Sequence, residues 1–251
     1  MITRRKALGL IGIGTGGLVL AGCDQLNSSP SFRSLLRSAE GLNMRAQRLI
    51  SSREALAREF SASDLSPVFR SNGTAMPDTP EYQQLAAGRF ADWRLTVDGL
   101  VRRPLSLSLA QIQTLPRRTQ ITRHDCVEGW SAIGKWTGAL LGPILDAAGL
   151  KDETRFIVFH CMDRYGDLPY YESIDLIDAY HPQTLLAYAL NDQILPLPNG
   201  APLRLRIERQ LGYKQAKYLH RIEARATLDG LYGGKGGLWE DTTDYEWYAG
   251  I

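Results

Sequence analysis

The sequence predicts a single α+β domain preceded by a helical arm, and three stretches support this prediction. Residues 32–60 repeat apolar side chains at roughly helical spacing, with arginines on the other faces. Residues 93–101 alternate apolar and polar side chains, which is typical of a half-buried strand. Residues 155–163 are apolar almost throughout, as expected of a buried strand.

The composition is that of an ordinary folded protein with one large domain or two small ones. The chain has 251 residues, of which 44% are hydrophobic and 22% are charged. The formal net charge is +2, but residues 1–22 contribute three basic residues and no acid, so the remainder carries 26 basic and 27 acidic side chains. This balance gives no reason to expect nucleic-acid binding.

The helical arm follows a polar tether, and together they are expected to occupy residues 23–65. The arm is predicted to begin at Phe32 and to end near Phe60, with Gly41-Leu42-Asn43 dividing it into two helices. Its arginines suit a solvated face with salt bridges, and contact with anionic lipid headgroups is the alternative.

Local patterns then predict the first half of the main domain. An Asn-Gly pair and two prolines indicate a loop over residues 66–77. A short helix over 109–115 is closed by a proline, and a strand over 117–123 carries the next cysteine just past its end. Residues 140–149 are predicted to form a helix that ends on a glycine.

The second half completes a main domain expected over residues 66–251. Residues 164–172 are predicted to form a loop after the buried strand. Residues 185–196 are predicted to form two strands joined by an Asn-Asp turn. The tail, 230–251, is rich in glycine and aromatic residues without helical or strand periodicity. We expect it to pack back over the domain, with an aromatic partner surface as the alternative.

Cys126 stands among ionisable groups in the stretch Arg123-His124-Asp125-Cys126-Val127-Glu128. The nearby arginine favours a thiolate and the two carboxylates oppose it, so residue types alone leave the charge of this thiol open. On residue type alone, a small buried hydrophobe is the favoured interpretation. A disulfide between Cys126 and Cys161 is a further alternative in an oxidising compartment.

The longer stretch TRHDCVEGWSAIGKWTG, residues 122–138, resembles the molybdenum-ligating segment of the sulfite oxidase family. It is most similar to the bacterial periplasmic branch of methionine sulfoxide reductase catalytic subunits, in which Cys-Val-Glu replaces Cys-Ala-Gly. The resemblance implies a sulfite oxidase-type molybdopterin-binding domain with Cys126 as the metal ligand. A soft thiolate suits a metal that pterin sulfurs already hold.

The resemblance extends to residues expected around the substrate. Asn72 in the loop over 66–77 matches an asparagine that reaches cofactor and substrate. Tyr170, which follows a proline, matches an active-site tyrosine whose phenol points toward the substrate side of the metal. The position near Cys161 contributes to the cofactor pocket in related enzymes.

Two later segments, NGAPLRLR and LGYKQAKY, resemble the pterin-binding segments of the family. Asn199, Arg204 and Lys217 match residues that hold the pterin and its phosphate, and Gln215 and Ala216 are expected to supply backbone groups. The chemistry is consistent, because a phosphate binds guanidinium, ammonium and backbone N–H donors.

Residues 1–22 are typical of a twin-arginine export signal. Arg4 and Arg5 precede an apolar, glycine-rich run that is too short and too interrupted for a membrane span. Leu20-Ala21-Gly22-Cys23 resembles a bacterial lipobox, so Cys23 is expected to carry a lipid anchor; an ordinary signal with a chance cysteine is the alternative. The expected location is the periplasmic face of the bacterial inner membrane.

The resemblance implies a molybdenum–molybdopterin-dependent oxidoreductase that transfers an oxygen atom and two electrons on a small, sulfur-containing substrate, and the lipobox implies that it is membrane-anchored. We expect a monomer with a separate electron-transfer partner: a membrane haem protein, a quinone-linked protein or a soluble cytochrome. The alternative from another class is a cofactor-free binding lipoprotein that keeps the fold. A thiol-dependent hydrolase that uses Cys126 with His124 is weaker still.

A departure from the family pattern predicts the substrate. Ser71 stands where sulfite oxidases carry an anion-binding arginine, and Glu128 adds negative charge near Cys126. We therefore expect sulfite, a dianion, to be a poor substrate and a neutral sulfoxide to be a better one. Arg70 could swing inward and restore the missing charge.

Overall fold

The computed structural model describes residues 29–251. The chain divides after Ser51 into an N-terminal part and a compact unit, Ser52–Ile251. The expected signal over 1–22, the lipidated Cys23 and the first part of the tether lie outside the described residues. Within residues 29–251, no helix combines the length and the apolar character that crossing a bilayer requires.

The N-terminal part contains helix α1, Pro30–Ile50. The Ser29 hydroxyl accepts from the Phe32 N–H and Pro30 occupies the first turn, which are both favourable at a helix start. The predicted break at Gly41 is wrong, because α1 runs through this glycine; a single glycine costs a helix only about 1 kcal/mol. The predicted end near Phe60 is also wrong, since the helix stops at Ile50.

The compact unit contains ten strands and five further helices. The helices are α2 Pro80–Ala87, α3 Leu109–Thr114, α4 Leu141–Ala148, α5 Leu176–Ala179 and α6 Leu238–Thr243. The strands are β1 Arg94–Gly99, β2 Leu105–Ser108, β3 Arg117–Cys126, β4 Trp130–Leu140, β5 Phe156–Tyr165, β6 Leu168–Asp175, β7 Leu185–Leu190, β8 Gln193–Ile194, β9 Arg204–Arg206 and β10 Leu219–Arg225.

These strands form two five-stranded sheets with one core cluster between them. The first sheet has the order β2-β1-β10-β5-β6, in which only β1 and β10 are parallel. The second has the order β3-β4-β7-β8, and β9 pairs with β7. Leu95 and Phe159 of the first sheet belong to the same buried cluster as Leu186 and Leu205 of the second. Each sheet therefore buries one face against the other, as an α+β domain requires.

Most predicted elements are confirmed, with three corrections. The strand before Cys126 extends to include it, so Cys126 is the last residue of β3. The predicted loop over 164–172 is a β5–β6 hairpin in which Tyr170 lies on β6. The tail, for which no helix or strand was predicted, contains helix α6.

Strand β4 was not predicted, and its glycines explain why. Glycine is depleted in strands and hides their alternation in the sequence. Gly138 lies so close to β7 that a Cβ atom would be 2.3 Å from the Leu186 carbonyl oxygen. The close approach of β4 and β7 therefore requires a residue without a side chain at position 138. Strand β7 in turn positions β9, because Ala187 pairs with Arg204.

Gly138→Ala should lower the free energy of unfolding by about 1–3 kcal/mol, because the added methyl group forces two paired strands apart. Thermal unfolding of the purified protein measures this loss. Gly41→Ala is the matched control, since no atom lies within 4 Å of its added Cβ, and it should be neutral or slightly stabilising. An unchanged unfolding temperature for Gly138→Ala would contradict the packing described.

Candidate active site

Strand β3 carries Cys126 on its buried face. The inward positions of this strand are Gln120, Thr122, His124 and Cys126, all of which are buried. A tight turn follows, in which the Gly129 N–H donates to the Cys126 carbonyl at 3.1 Å and Gly129 has a φ of 84°. The thiol thus lies at the end of a rigid strand, where loops meet.

A cavity of about 460 Å³ opens beside this thiol, a size typical of small-molecule sites. Its walls come from five separate parts of the compact unit. The lining residues are Asn72, Gly73, Thr74, Cys126, Val127, Glu128, Asp163, Arg164, Tyr165, Tyr170, Gly212, Tyr213, Gln215, Lys217, Trp239 and Tyr245.

Arg204 lies fully buried behind this cavity without an acidic partner. Its guanidinium donates to the Asn199 carbonyl at 3.2 Å and to Asn72 Oδ1 at 3.5 Å, while its Nε has no hydrogen-bond partner. No acidic side chain of residues 29–251 forms an ion pair with it. Burial, together with the neighbouring Arg206, lowers the pKa of Arg204 to about 9. Arg204 is therefore a buried cation without a direct ion pair among residues 29–251, although the charge of the Asp163 carboxyl acts on it from a distance.

Arg206, two residues further along β9, is buried too but is neutralised. It forms a bidentate ion pair with Glu208, with distances of 2.9 and 2.7 Å, and its carbon Cζ lies 4.3 Å from the Trp136 ring centre. Its Nη1 contacts His124 Nδ1 at 3.1 Å. Because arginine only donates, His124 Nδ1 accepts. Burial and the charges of Arg204 and Arg206 lower the pKa of His124 well below its usual value, so this ring is neutral.

Lys217 holds the loop over residues 66–77 against the cavity. Its ammonium donates to the carbonyls of Asn72 at 2.6 Å, Pro198 at 3.0 Å and Thr74. Burial and the charge of Arg204 lower the pKa of Lys217 to about 7. The predicted approach of the 66–77 loop to the site is thus seen in the structure, with Lys217 as its anchor.

Two residues of the same loop do not line the cavity. Ser71 and Arg70 are exposed, and neither lines the wall. Arg70 therefore adds no charge to the cavity in this structure.

The two described cysteines have different surroundings. Both are free thiols, so the structure contains no disulfide between Cys126 and Cys161. Cys126 lines the cavity, and burial raises the pKa of its thiol. Cys161 lies in the core cluster between the sheets and not in the cavity wall, with its pKa raised further by complete burial.

Tyr170, Gln215, Asn199 and Ala216 surround the cavity in different roles. Tyr170 lines it and donates its hydroxyl to the Tyr213 carbonyl at 2.7 Å. Gln215 also lines it, and its amide donates to the carbonyl of Gln210 at 3.1 Å. Asn199 is buried behind the wall with its Nδ2 unpartnered. Ala216 is in the core, where its carbonyl accepts from the Leu205 N–H of β9.

Sequence reasoning missed several residues of this site. Asp163 lines the cavity, and burial raises the pKa of its carboxyl to about 6. Trp239 and Tyr245 of the tail line it as well. Arg206 could have been found, because Arg204-Leu205-Arg206 places two arginines on one face of a strand. No sequence pattern identifies Trp239 and Tyr245 as cavity residues, because the tail has no periodicity that separates aromatic residues in the core from those that line a cavity.

The described side chains do not form a metal site by themselves. Residues 29–251 contain no group of three or more His, Cys, Asp or Glu side chains that could hold a metal ion. No hydrogen bond joins Cys126 to His124 within this part of the chain, so the nucleophile–base pair of a thiol hydrolase is not assembled. A metal bound at Cys126 would need further ligands from a cofactor.

A family model described as the oxidoreductase molybdopterin-binding domain matches residues 82–230. The chain is 35% identical over 94% of its length to a putative protein-methionine-sulfoxide reductase subunit, YedZ1, of Azospira oryzae, of which it covers 83%. It is 30% identical over 87% of its length to the protein-methionine-sulfoxide reductase catalytic subunit MsrP of Xanthomonas axonopodis, of which it covers 69%.

A solved structure shows the same fold. The sulfane dehydrogenase SoxCD of Paracoccus pantotrophus superposes with a TM-score of 0.52 over 61% of this chain, at 20% sequence identity. The matched region spans 41% of the SoxCD chain. The expectation of a sulfite oxidase-type molybdopterin-binding fold is therefore confirmed.

Proposed function

This chain belongs to the family of oxidoreductases that share the molybdopterin-binding domain, and from that premise we propose that it reduces methionine sulfoxide. It is a molybdenum-dependent oxidoreductase with a molybdenum–molybdopterin cofactor. The net reaction takes a sulfoxide, two electrons and two protons to a thioether and water. A separate partner supplies the electrons.

The residues present fit this cofactor. When bound, it supplies the two-electron redox chemistry of oxygen-atom transfer. Cys126 would ligate the metal; its thiol, which burial keeps protonated in the free chain, would release a proton on binding. Asn72, Gln215 and Lys217 line the same cavity and would hold the pterin. Tyr170 would border the substrate side with its phenol protonated, because burial raises its pKa.

The relatives support the sulfoxide as substrate, and the single observation that carries the cofactor site is Arg204, a buried cation without an ion-pair partner among residues 29–251. A buried ion without a partner costs several kcal/mol, and proteins retain such groups where a ligand supplies the opposite charge. The terminal phosphate of the pterin is an anion of this kind. The alternative of a cofactor-free binding protein gives no reason to keep Arg204 buried beside an intact Cys126.

The charges around the cavity support a neutral substrate. Glu128 and Asp163 line the wall, and the Lys217 ammonium already donates hydrogen bonds to three backbone carbonyls. Arg164, the remaining lining cation, is exposed and donates to the Asp167 carbonyl. A dianion such as sulfite would find no cation free to bind it among the lining residues, since Arg204 lies behind the wall and is assigned to the cofactor, whereas a sulfoxide brings no net charge.

We infer a periplasmic location with a lipid anchor at Cys23 and export through the twin-arginine signal of residues 1–22. Several curated relatives are named as catalytic subunits, which supports a separate electron-transfer partner for this chain. Export of a folded protein suits an enzyme whose cofactor is inserted before it crosses the membrane.

Arg204→Met should yield protein with almost no molybdenum while its cofactor-free form keeps or gains stability. The substitution removes a buried charge that has no partner, at similar side-chain volume, and such replacements are neutral or stabilising. Metal analysis gives the occupancy, and thermal unfolding of protein from cells that cannot make the cofactor gives the stability.

Arg206→Met is the matched control. It leaves Glu208 buried without its ion-pair partner and should destabilise the cofactor-free protein by about 3–5 kcal/mol. Full molybdenum occupancy in Arg204→Met, or equal destabilisation by both variants, would show that Arg204 serves the fold alone.

Cys126→Ser should abolish sulfoxide reduction while the fold and the pterin remain, because the thiolate ligand is lost and the phosphate-binding residues are not. The loss should exceed the roughly 100-fold that removal of an outer-shell partner costs. Steady-state assays with a reduced dye and pterin fluorescence after denaturation measure the two quantities. Cys161→Ser is the control and should keep substantial turnover; a lower rate in Cys161→Ser than in Cys126→Ser would reverse the assignment.

Arg4→Lys combined with Arg5→Lys should trap the precursor in the cytoplasm, because the export pathway reads the arginine pair. Cell fractionation followed by immunoblotting shows the location. Cys23→Ala tests the anchor separately and should release the protein from the membrane fraction. Unimpaired export of the double lysine variant with its cofactor would contradict the twin-arginine assignment.

A further inference from the structure

Four aromatic side chains form one continuous side of the cavity, here called the aromatic wall: Tyr165, Tyr213, Trp239 and Tyr245. Ring centres lie 4.9 Å apart between Tyr165 and Trp239, 6.1 Å between Trp239 and Tyr245, and 5.0 Å between Tyr245 and Tyr213. These separations are typical of aromatic rings in contact. The wall joins the β5–β6 hairpin to the C-terminal tail.

Much of this wall faces solvent. Tyr165 is 60% exposed and Tyr245 is 38% exposed, whereas Tyr213 is buried at 6%. The wall therefore runs from the interior of the cavity out to its mouth. A ligand confined to the interior leaves part of the outer rings exposed, whereas a longer ligand covers them.

The backbone that carries the wall is firmly anchored. Trp239 lies on α6 between two buried residues, Leu238 and Glu240. The Glu240 carboxylate accepts from the buried Lys214 ammonium at 2.6 Å, and Lys214 also lies 2.5 Å from Glu172. Burial disfavours the ammonium, but these two carboxylates outweigh it and raise the pKa of Lys214.

A hydrogen bond fixes the other end of the wall. The Tyr213 hydroxyl donates to the Glu246 carbonyl at 2.6 Å, which places the adjacent Tyr245. The tail as a whole was expected to pack over the domain, and Trp247 does so against Phe156 at 5.6 Å. Trp239 and Tyr245 differ from it, because their anchored backbone presents them to the cavity.

Aromatic rings suit the proposed substrate in two ways. The oxidised methionine side chain keeps its apolar methylene and methyl groups, which pack against aromatic rings, and the thioether sulfur of the product makes favourable contacts with the same rings. Tyrosine and tryptophan also offer large contact areas at little cost in conformational entropy, which is why peptide-binding surfaces use them. A small free sulfoxide would reach only the inner rings, while a polypeptide would also cover Tyr165 and Tyr245.

We propose that the aromatic wall is a substrate subsite that binds the methionine sulfoxide side chain and the flanking residues of an oxidised polypeptide. The inference rests on the proposed function and adds the residues that select for a polypeptide over a small sulfoxide. Trp239 and Tyr245 are specificity-determining residues in this assignment, and Tyr165 extends the subsite at the mouth.

The test compares two substrates on the cofactor-loaded, full-length enzyme: a short peptide with one central methionine sulfoxide, and dimethyl sulfoxide. Trp239→Ala and Tyr245→Ala should each raise KM for the peptide by roughly tenfold with little change in kcat. The effect with dimethyl sulfoxide should be several-fold smaller. Trp239→Phe should restore most of the peptide affinity because it keeps a ring at this position.

Tyr180→Ala is the control, since Tyr180 is 44% exposed, similar to Tyr245, and lies outside the cavity wall. It should leave both substrates unaffected. Fluorescence anisotropy of the labelled peptide provides a readout independent of turnover, and its Kd should rise in parallel with KM. Thermal unfolding confirms that each variant is folded.

Three results would overturn the proposal. Unchanged KM and Kd for the peptide in Trp239→Ala and Tyr245→Ala would show that the wall only packs. Equal losses with peptide and dimethyl sulfoxide would show that the rings shape the inner cavity without selecting a polypeptide. A wild-type enzyme that carries its cofactor and reduces neither sulfoxide would overturn the proposed function and this inference together, whereas the first two results leave the proposed function standing.

Discussion

The architecture of this protein depends on buried positive charge whose neutralisation is incomplete. Arg204 is fully buried, donates hydrogen bonds only to neutral groups, and lies next to a cavity that ends on Cys126. Because an ion in a protein interior requires an opposite charge, this arrangement is stable in full only with an anionic ligand in place. We propose that the phosphate of the cofactor supplies this opposite charge.

Three neighbouring cations show how the rest of the site is organised. Arg206 joins β9 to Glu208 and to the His124 ring of β3. Lys214 fixes the tail through Glu172 and Glu240, and Lys217 fixes the 66–77 loop through backbone carbonyls. Arg206 and Lys214 have carboxylate partners, and Lys217 donates to three backbone carbonyls; each of the three positions one wall of the cavity. Arg204 differs from them, because it forms no ion pair within residues 29–251 and its Nε has no hydrogen-bond partner, and we propose that its charge serves a ligand.

Sequence patterns predicted the fold class and the elements whose periodicity is clean, such as β1 and α4. They failed where glycine interrupts the pattern, because Gly138 reflects the close approach of β7, and this is a tertiary constraint. They also failed for α1, where Gly41 is tolerated inside a long helix. In both cases the intrinsic preference of glycine is known, but the sequence does not show whether the surrounding structure overrides it.

The candidate site was predictable where short motifs carry chemistry. Cys126, Lys217 and Tyr170 were named from their motifs, and all three line one cavity. Cys161 was named too, but it lies in the core, since its position on the strand does not reveal which side of the sheet holds the cavity. Trp239 enters the wall through its anchored tail, a contact between distant parts of the chain that no local pattern encodes.

The central claim is that the buried charge of Arg204 and the thiol of Cys126 hold one molybdopterin cofactor. Native mass spectrometry of the full-length protein, purified from cells that make the cofactor, tests this claim most directly. The account predicts one dominant species whose native mass exceeds the mass of the same chain after denaturation by one molybdenum–molybdopterin, with one molybdenum per chain on metal analysis. A folded protein of bare polypeptide mass, without molybdenum, would contradict it.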